Sequence, residues 1–191
     1  MSKPFFITLL VLIIVIGSFI FINQSRTKEE VIGVKHQDQG QKHIKAGDSH
    51  ETYNSNLPSS GSHYNDAGSP IAWGIYTKEI APEVFLHNEE HGGVVIAYNP
   101  NTLSAEKTSL LQGLFASPFS NKSFVPRKYI LMPREGNIAA IQLASWNYTL
   151  DLGTYDEATI VKFFNQHAGK APEPRAGPTN TPINQVTHLS D

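Results

Sequence analysis

The chain reads HNEEHGGVVIAYNP from His87 to Pro100. Within it, the five apolar residues Val94–Tyr98 are rich in β-branched side chains and predict a buried strand. Asn99-Pro100 is a turn signal that ends this strand. Gly92-Gly93 separates the strand from a polar segment that carries two histidines. The stretch therefore predicts a core strand with chemistry-bearing side chains immediately before it.

The segments that follow this strand mix helix and strand patterns. Two helices and two further strands are predicted, in the order Ser104–Ala116 (helix), Tyr129–Met132 (strand), Ile138–Trp146 (strand) and Asp156–His167 (helix). A capping box formed by Thr154 and Glu157 is expected to start the last helix, and Gly169 to end it. Without a strict strand–helix–strand rhythm, this pattern predicts a single α+β domain with a largely antiparallel sheet and two main helices.

An apolar segment precedes this domain. Residues 5–22 form an unbroken run of 18 apolar or small residues without a charge. As a helix this run is about 27 Å long, close to the roughly 30 Å hydrocarbon core of a bilayer. A cleaved signal peptide is the alternative, but its apolar region is usually shorter, and no small-x-small cleavage site follows Ser18. We therefore expect an N-terminal transmembrane helix over residues 1–25.

The orientation of this anchor rests on weaker signals. Lys3 lies before the run and Arg26 and Lys28 lie after it, so the flanking positive charges are close to balanced. An export signal that is never cut has its N-terminus inside. This layout predicts a single-pass protein of the cell membrane, with its C-terminal domain outside the cytoplasm.

Composition limits the classes of function. The 191 residues include 15 basic and 17 acidic side chains, for a net charge of −2, which argues against a nucleic-acid partner. The absence of cysteine excludes disulfides, thiolate metal sites and a thiol nucleophile. We divide the chain into an anchor (1–25), a polar linker (26–42), an extracytoplasmic α+β domain (43–173) and a disordered proline-rich tail (174–191).

Histidines are the most informative side chains. His87 and His91 are four residues apart, so on a helix their imidazoles could reach one metal ion. Glu90 could be a further ligand or could orient one. His63, in a loop rich in Ser, Gly and Pro, and His43, at the end of the linker, could fold back to complete the site. Imidazole and carboxylate donors without sulfur suit Zn²⁺, Cu²⁺, Ni²⁺ or iron, and of these we expect Zn²⁺ or Cu²⁺ as the bound ion.

Two other interpretations of the same residues stay open. In a metal-free interaction module, the histidines would hydrogen-bond the Ser/Gly loop and fix its shape. In a metallohydrolase, an open coordination position and a general base are needed, and Glu89 and Glu90 are the candidates for that base. The pattern His87-x-x-Glu90-His91 matches an inverted zinc-peptidase motif, although Gly92 leaves little room for the long helix of that motif.

The remaining histidines carry weaker signals. His167 is expected at the surface or boundary of the last helical turn, where a positive charge suits the helix dipole. His36, His50 and His188 lie in polar or terminal segments and are expected to be solvated.

A family resemblance connects the histidine segments. The chain resembles the domain of unknown function 3105 family, whose pattern is a His, then Pro-Pro-Thr-Ser-Gly-Pro-His, Gly-x-Tyr, and His-Asn-Leu-Glu-His-Gly-Gly. The matching stretches here are Gly40–Ile44, Tyr53–His63, Trp73–Tyr76 and His87–Val94, with Ala144–Trp146 and Pro172-Glu173 near the end. Leu57, Ser62 and Glu89 depart from the pattern, and Glu89 replaces its leucine.

The resemblance implies an exported domain behind an N-terminal anchor or signal, and it implies no established activity. It also groups His43, His63, His87, Glu90 and His91 in one pattern. We expect these residues to form a metal site in an uncharacterised membrane-anchored domain, with no catalytic assignment.

Overall fold

A computed structural model describes residues 4, 7, 11–18, 29–66, 68–116, 124, 127–178 and 186–187. The chain divides into two compact units, Met1–Val31 and Ile32–Asp191. In the first unit, residues 11–18 are helical. Among the described residues, no helix is both long enough and apolar enough to cross a membrane. Much of the predicted anchor over residues 5–22 lies outside the described residues, so the anchor stays a prediction.

The second unit is built on one mixed sheet. In chain order its elements are β1 (Val34–Lys35), β2 (His43–Ile44), β3 (His63–Tyr64), β4 (Gly74–Tyr76), α1 (Pro82–Glu90), β5 (Val94–Tyr98), α2 (Ala105–Ala116), β6 (Tyr129–Pro133), β7 (Ile141–Ser145), β8 (Tyr148–Leu152), α3 (Glu157–His167) and β9 (Val186–Thr187). The main sheet has the strand order β1-β8-β7-β5-β6-β4-β9. A second sheet contains β2 and β3 alone.

Strand direction changes at β5. The pairs β1–β8, β8–β7 and β7–β5 are antiparallel, whereas β5–β6, β6–β4 and β4–β9 are parallel. The seven-stranded sheet thus has three antiparallel and three parallel pairs, and without the short strand β9 antiparallel pairs outnumber parallel ones by three to two. This mixed sheet agrees with the predicted α+β class, and the six strands other than β9 agree with a mostly antiparallel sheet. The parallel pairs are an addition that the sequence patterns did not reveal.

Strand β5 forms the centre of the core, as its apolar run predicted. All five of its residues are buried, and they alternate between the two faces of the sheet. Val94, Ile96 and Tyr98 contact the core on one face, where α2 and α3 contribute Leu111, Phe115 and Phe163 among others. Val95 and Ala97 contact the core on the other face, together with Phe85 and Leu86 of α1. The sheet is therefore covered by helices on both faces, and α1 stands alone on its face among the described helices of this unit.

The predicted helices and strands are present with small shifts in their ends. Helix α3 begins at Glu157, and its N-cap is Asp156, whose side chain accepts a hydrogen bond from the Thr159 amide at 3.1 Å. The predicted capping box at Thr154 is therefore wrong, because Thr154 lies two residues before the true cap. Gly169 follows α3 with φ +77°, as expected of a residue that ends a helix.

Residues at both ends of the predicted domain join the same unit. Strand β1 lies within residues 26–42 and pairs with β8. Near the other end, the indole nitrogen of Trp73 donates to the carbonyl of Pro178 at 3.1 Å. The ordered part of this unit thus extends beyond residues 43–173.

Candidate metal centre

Helix α1 supplies the buried polar side chains of the site. It starts with Pro82 in its first turn and has nine residues. Its last four residues, His87, Asn88, Glu89 and Glu90, are all buried. Such a polar, buried helix end must find partners inside the protein, because unpaired polar groups there are costly.

The glycines that follow α1 turn the chain directly into β5. Gly92 has φ +83°, and its amide donates to the carbonyl of Glu89 at 2.8 Å. A Cβ on Gly93 would lie 2.6 Å from the Trp73 ring and 2.8 Å from the Asn88 carbonyl, so no larger residue fits there without a shift. The Gly92-Gly93 pair therefore joins a buried helix end to the central strand within two residues.

The small β2–β3 sheet places two histidines side by side. These strands are parallel, with His43 opposite His63 and Ile44 opposite Tyr64. The amide of His63 also donates to the carbonyl of Lys42 at 3.0 Å. Because paired residues point to the same face of a sheet, this register brings the two imidazoles together, with ring centroids 4.8 Å apart.

Three of the predicted ligands converge on one carboxylate oxygen. The Nε2 atoms of His63 and His43 lie 3.1 Å and 3.3 Å from Glu90 Oε2. The Nε2 atom of His87 lies 4.0 Å from the same oxygen. In a tetrahedral site with bonds of about 2.0–2.1 Å, neighbouring ligand atoms are about 3.3–3.4 Å apart. The four donor atoms of His43, His63, His87 and Glu90 all lie within 4.8 Å of one another, so small movements would let them share one ion.

Backbone carbonyls orient two of these imidazoles. Nδ1 of His63 donates to the carbonyl of Gly61 at 2.9 Å, and Nδ1 of His87 donates to the carbonyl of Tyr64 at 2.7 Å. A neutral imidazole that donates through Nδ1 has its lone pair on Nε2. Both lone pairs are thereby directed at the centre of the cluster, which is the arrangement usual for histidine ligands of a metal.

Burial favours the neutral form of His87. The pKa of His87 is lowered to about 4, mainly by burial and to a smaller extent by the neighbouring His91 and His63, against the raising effects of the hydrogen bond to Tyr64 and the Glu90 carboxylate. At neutral pH this imidazole is therefore uncharged and available as a ligand.

His43 forms the solvent-facing side of the cluster. Its side chain is 39% exposed, whereas that of His63 is fully buried and that of Glu90 is 1% exposed. The Asn65 side chain lies 3.2 Å from His43 Nδ1. Since an amide can present either its nitrogen or its oxygen, Asn65 can match either proton arrangement of this imidazole. Of the four residues of the cluster, His43 is thus the one in contact with solvent.

His91 lies outside this group of four. The donor atoms of His91, Glu90 and Glu173 form a separate group, also within 4.8 Å of one another. The Nε2 atom of His91 is 3.6 Å from Glu173 Oε2. The structure therefore divides the predicted ligands between two groups that share Glu90. The two histidines of the zinc-peptidase pattern belong to different groups, although their ring centroids are 4.6 Å apart, whereas they would have to bind the same ion in such an enzyme.

Glu173 is the residue that the histidine pattern missed. It follows α3 and reaches α1 through the backbone, since its amide donates to the carbonyl of Glu90 at 2.9 Å. A signal for it was present in the sequence, because Pro172-Glu173 closes the family pattern. Nothing in the spacing of the histidines, however, indicated that this carboxylate lies beside His91.

Glu89 points away from hydrogen-bonding groups. It is fully buried, and neither of its carboxylate oxygens has a hydrogen-bond partner among the described residues. Burial raises its pKa well above the ordinary value. A protonated carboxyl is a poor general base, so the structure offers less support for Glu89 in that role.

The other histidines have structural partners. His36 Nε2 is 2.7 Å from the Thr149 hydroxyl, and His50 Nε2 is 3.0 Å from Glu83. His167 is 3% exposed, so its expected position at the surface or boundary is wrong. Its ring lies on the buried side of α3 and packs against Phe163, one turn earlier in the same helix, and Tyr148 of β8, with ring centroids 4.3 Å and 4.5 Å away. His188 lies outside the described residues.

These observations define an α+β domain with a buried cluster of imidazoles around one glutamate. Residues 43–180 match the family described as protein of unknown function (DUF3105). This range is 138 of the 191 residues, and the chain therefore belongs to that family. Comparisons with curated proteins and with solved structures gave no match.

Proposed function

We propose that this protein binds a transition metal ion through His43, His63, His87 and Glu90. The observation that carries the proposal is the approach of three imidazole Nε2 atoms to one buried carboxylate oxygen, Glu90 Oε2. Two of those imidazoles already donate through Nδ1, so their neutral forms direct lone pairs at an acceptor. Without a cation, these nitrogen lone pairs face a carboxylate oxygen that also offers a lone pair. A metal ion between the imidazoles and Glu90 would remove this repulsion, because it accepts electron pairs from all of the groups.

The donor set favours Zn²⁺ or Cu²⁺. The three imidazoles give borderline-soft nitrogen donors and the carboxylate gives an oxygen donor, and the set contains no sulfur. Four protein ligands complete a tetrahedral shell, as in structural zinc sites. Catalytic zinc sites, by contrast, usually keep one coordination position for water. We infer a role in metal handling or in a metal-stabilised interaction, and not in hydrolysis.

We propose in addition that the domain works outside the cytoplasm, held to the membrane by residues 5–22. The apolar run and the family resemblance support this location. A C-terminal fusion to alkaline phosphatase, which is active only after export, tests it in cells. High activity is expected. An inactive fusion, together with an active cytoplasmic reporter at the same position, would overturn the location and leave the metal site untouched.

A metal-free interaction module is the second candidate. The hydrogen bond from His63 to Gly61 favours it, because this contact fixes the Ser/Gly loop without any ion. A positively charged His63 could then pair with Glu90 at 3.1 Å. The two candidates differ in one measurable quantity, which is the metal content of the purified protein.

Elemental analysis distinguishes them. The full-length protein, purified in detergent without a histidine tag, is dialysed against equal concentrations of Zn²⁺, Cu²⁺, Ni²⁺ and Mn²⁺ and then against metal-free buffer. At least one equivalent of Zn or Cu is expected. His63→Ala and the larger His63→Gln should each lose that equivalent while circular dichroism shows a folded chain.

The matched control is His50→Ala, which removes a histidine bonded to Glu83 outside the cluster. It should keep the wild-type metal content. Equal metal in the wild type and in both His63 variants, or no metal in the folded wild type, would overturn the site and leave the interaction module.

A further inference from the structure

Glu90 also belongs to a second set of donors. The others are His91 and Glu173, and the donor atoms of the three residues are all within 4.8 Å of one another. His91 Nε2 and Glu173 Oε2 are 3.6 Å apart, too far for a hydrogen bond and suitable for two ligands of one ion. Two carboxylates and one imidazole would bind a divalent transition metal ion.

Two buried atoms of this group lack a partner. Glu90 Oε1 makes no hydrogen bond to any described residue, although the Glu90 side chain is 1% exposed. His91 Nδ1 is likewise buried and without a hydrogen-bond partner within the described part of the chain. Buried polar groups in native proteins are nearly always satisfied, and a bound ion is one of the standard explanations for apparent exceptions. The unpaired Glu90 oxygen is the stronger of the two signals, since a carboxylate oxygen is itself a metal ligand, whereas His91 approaches Glu173 through its other nitrogen, Nε2.

The surrounding backbone fixes the segment that carries Glu173. Besides the bond from its amide to Glu90, the Lys128 ammonium donates to the carbonyls of His91, Pro174 and Ala176 at 2.7–3.3 Å. Gly177 has φ +105°, and a Cβ there would lie 2.8 Å from His91 Nδ1. The segment after α3 is thus held closely against the end of α1. The Glu173 side chain itself is 52% exposed, so this group opens to solvent.

We propose that Glu90 bridges two metal ions, the first held with His43, His63 and His87 and the second with His91 and Glu173. The inference rests on the proposed function, because the first ion is the one assigned above. A bridging carboxylate uses both oxygens, and metal ions bridged in this way are typically about 3.5–4 Å apart. The bridge explains why one glutamate belongs to both groups. It also explains why His91, four residues after His87, lies outside the first group.

The stoichiometry of the full-length protein tests the second ion. Loaded with Cu²⁺ and freed of excess metal, the wild type should hold two equivalents. Glu173→Gln and His91→Ala, made separately, should each weaken binding of the second equivalent at least about tenfold and keep the first. Glu106→Gln, an exposed glutamate in the first turn of α2, is the control and should hold two.

Electron paramagnetic resonance tests the bridge. Two Cu²⁺ ions joined by a carboxylate couple magnetically, so the integrated spin of the wild type should be well below its copper content. In Glu173→Gln one uncoupled Cu²⁺ should give one full spin. Two equivalents with full, uncoupled spin would overturn the bridge.

The outcomes separate this inference from the proposed function. One equivalent in the wild type, unchanged in both variants but lost in His63→Ala, would overturn the second ion and keep the first. No bound metal in the folded wild type would overturn both. Two equivalents that persist in His91→Ala and Glu173→Gln would also overturn the assignment of the second ion.

Discussion

Helices α1 and α3 lie on opposite faces of the same sheet and differ in what they bury. Helix α3 buries Ile160, Phe163 and Phe164 in the core, and a side-chain cap at Asp156 satisfies its first turn. Helix α1 buries two apolar residues, Phe85 and Leu86, followed by four polar ones. It has no side-chain cap hydrogen bond at its N-terminus.

The two helices therefore differ in how their buried side chains are stabilised. An apolar stripe stabilises α3 through area removed from water, and that contribution needs no specific partner. The polar end of α1 must instead be satisfied group by group. Substitutions in the apolar stripe of α3 should therefore change the free energy of unfolding without changing metal binding, whereas loss of a hydrogen-bonded polar side chain of α1 should change both, and the following predictions test that difference.

The largest change in stability is expected for Phe163→Ala in α3. Phe163 is fully buried, and its replacement should lower the free energy of unfolding by about 3–5 kcal/mol. Urea denaturation in EDTA measures this loss. Asn165→Ala, at an exposed position of the same helix, is the control and should change little. The folded fraction of Phe163→Ala should keep its metal content. A parallel loss of metal would contradict the claim that α3 contributes to stability and not to metal binding.

The next largest effect is expected for Asn88→Ala in α1. The Asn88 side chain accepts from the Ile71 amide at 3.0 Å and donates to the Ile71 carbonyl at 2.8 Å. Loss of both bonds should destabilise the protein by about 2 kcal/mol. Because the Asn88 side chain positions the helix that carries His87 and Glu90, the affinity for Zn²⁺ should also fall, about tenfold. Calorimetric titration measures this, and an unchanged affinity would mean that other contacts position α1.

A gain in stability is expected for Glu89→Leu. Its carboxyl is fully buried and has no hydrogen-bond partner among the described residues, so an apolar side chain of similar size should raise the free energy of unfolding by about 1–2 kcal/mol. Leucine is also the residue in the family pattern. Glu89→Gln keeps a buried polar group at this position, so it should raise the free energy of unfolding by less than Glu89→Leu. A destabilised Glu89→Leu would show that the carboxyl has a favourable partner or a role in the site.

The smallest effect concerns the pH dependence of stability through His167. Burial lowers its pKa, and nearby Lys170 acts in the same direction, while the hydrogen bond from Nε2 to the Ile32 carbonyl opposes the shift. The unfolded chain therefore takes up this proton first as the pH falls below about 6.5, so acidification destabilises the folded state. His167→Asn, measured in EDTA between pH 8 and 5, should lose less stability than the wild type. An equal slope would assign the effect to other groups.

Much of the fold could be predicted from local patterns, and the misses have physical causes. Strand β5 and helix α3 were predictable because their apolar residues follow the period of one structure. Strand β1 has two residues, too few for any period. The parallel pairing of β5 with β6 depends on a connection through α2 and the residues after it, and no local pattern reveals strand order.

The site was predictable in its members and not in their grouping. Residue type and spacing pointed to His87, Glu90 and His91, with His63 and His43 as histidines that could complete the site, and the family resemblance grouped all five. Spacing on one helix suggested that His87 and His91 share an ion, but the structure pairs each with donors from different segments. Glu173 is 82 residues from His91 in the chain, and only tertiary structure brings them together.

The short β2–β3 pair bears on how readily the proposed site could exchange a bound metal ion with solvent. Two residues on each strand leave His43 with a short ladder of backbone hydrogen bonds and a half-exposed ring. Segments with few buried contacts open locally at a small fraction of the global unfolding free energy. Detachment of β2 would withdraw one imidazole while His63, His87 and Glu90 stay in place. For an ion held at the proposed site, local opening of this short strand, and not global unfolding of the domain, would set how fast the ion enters or leaves.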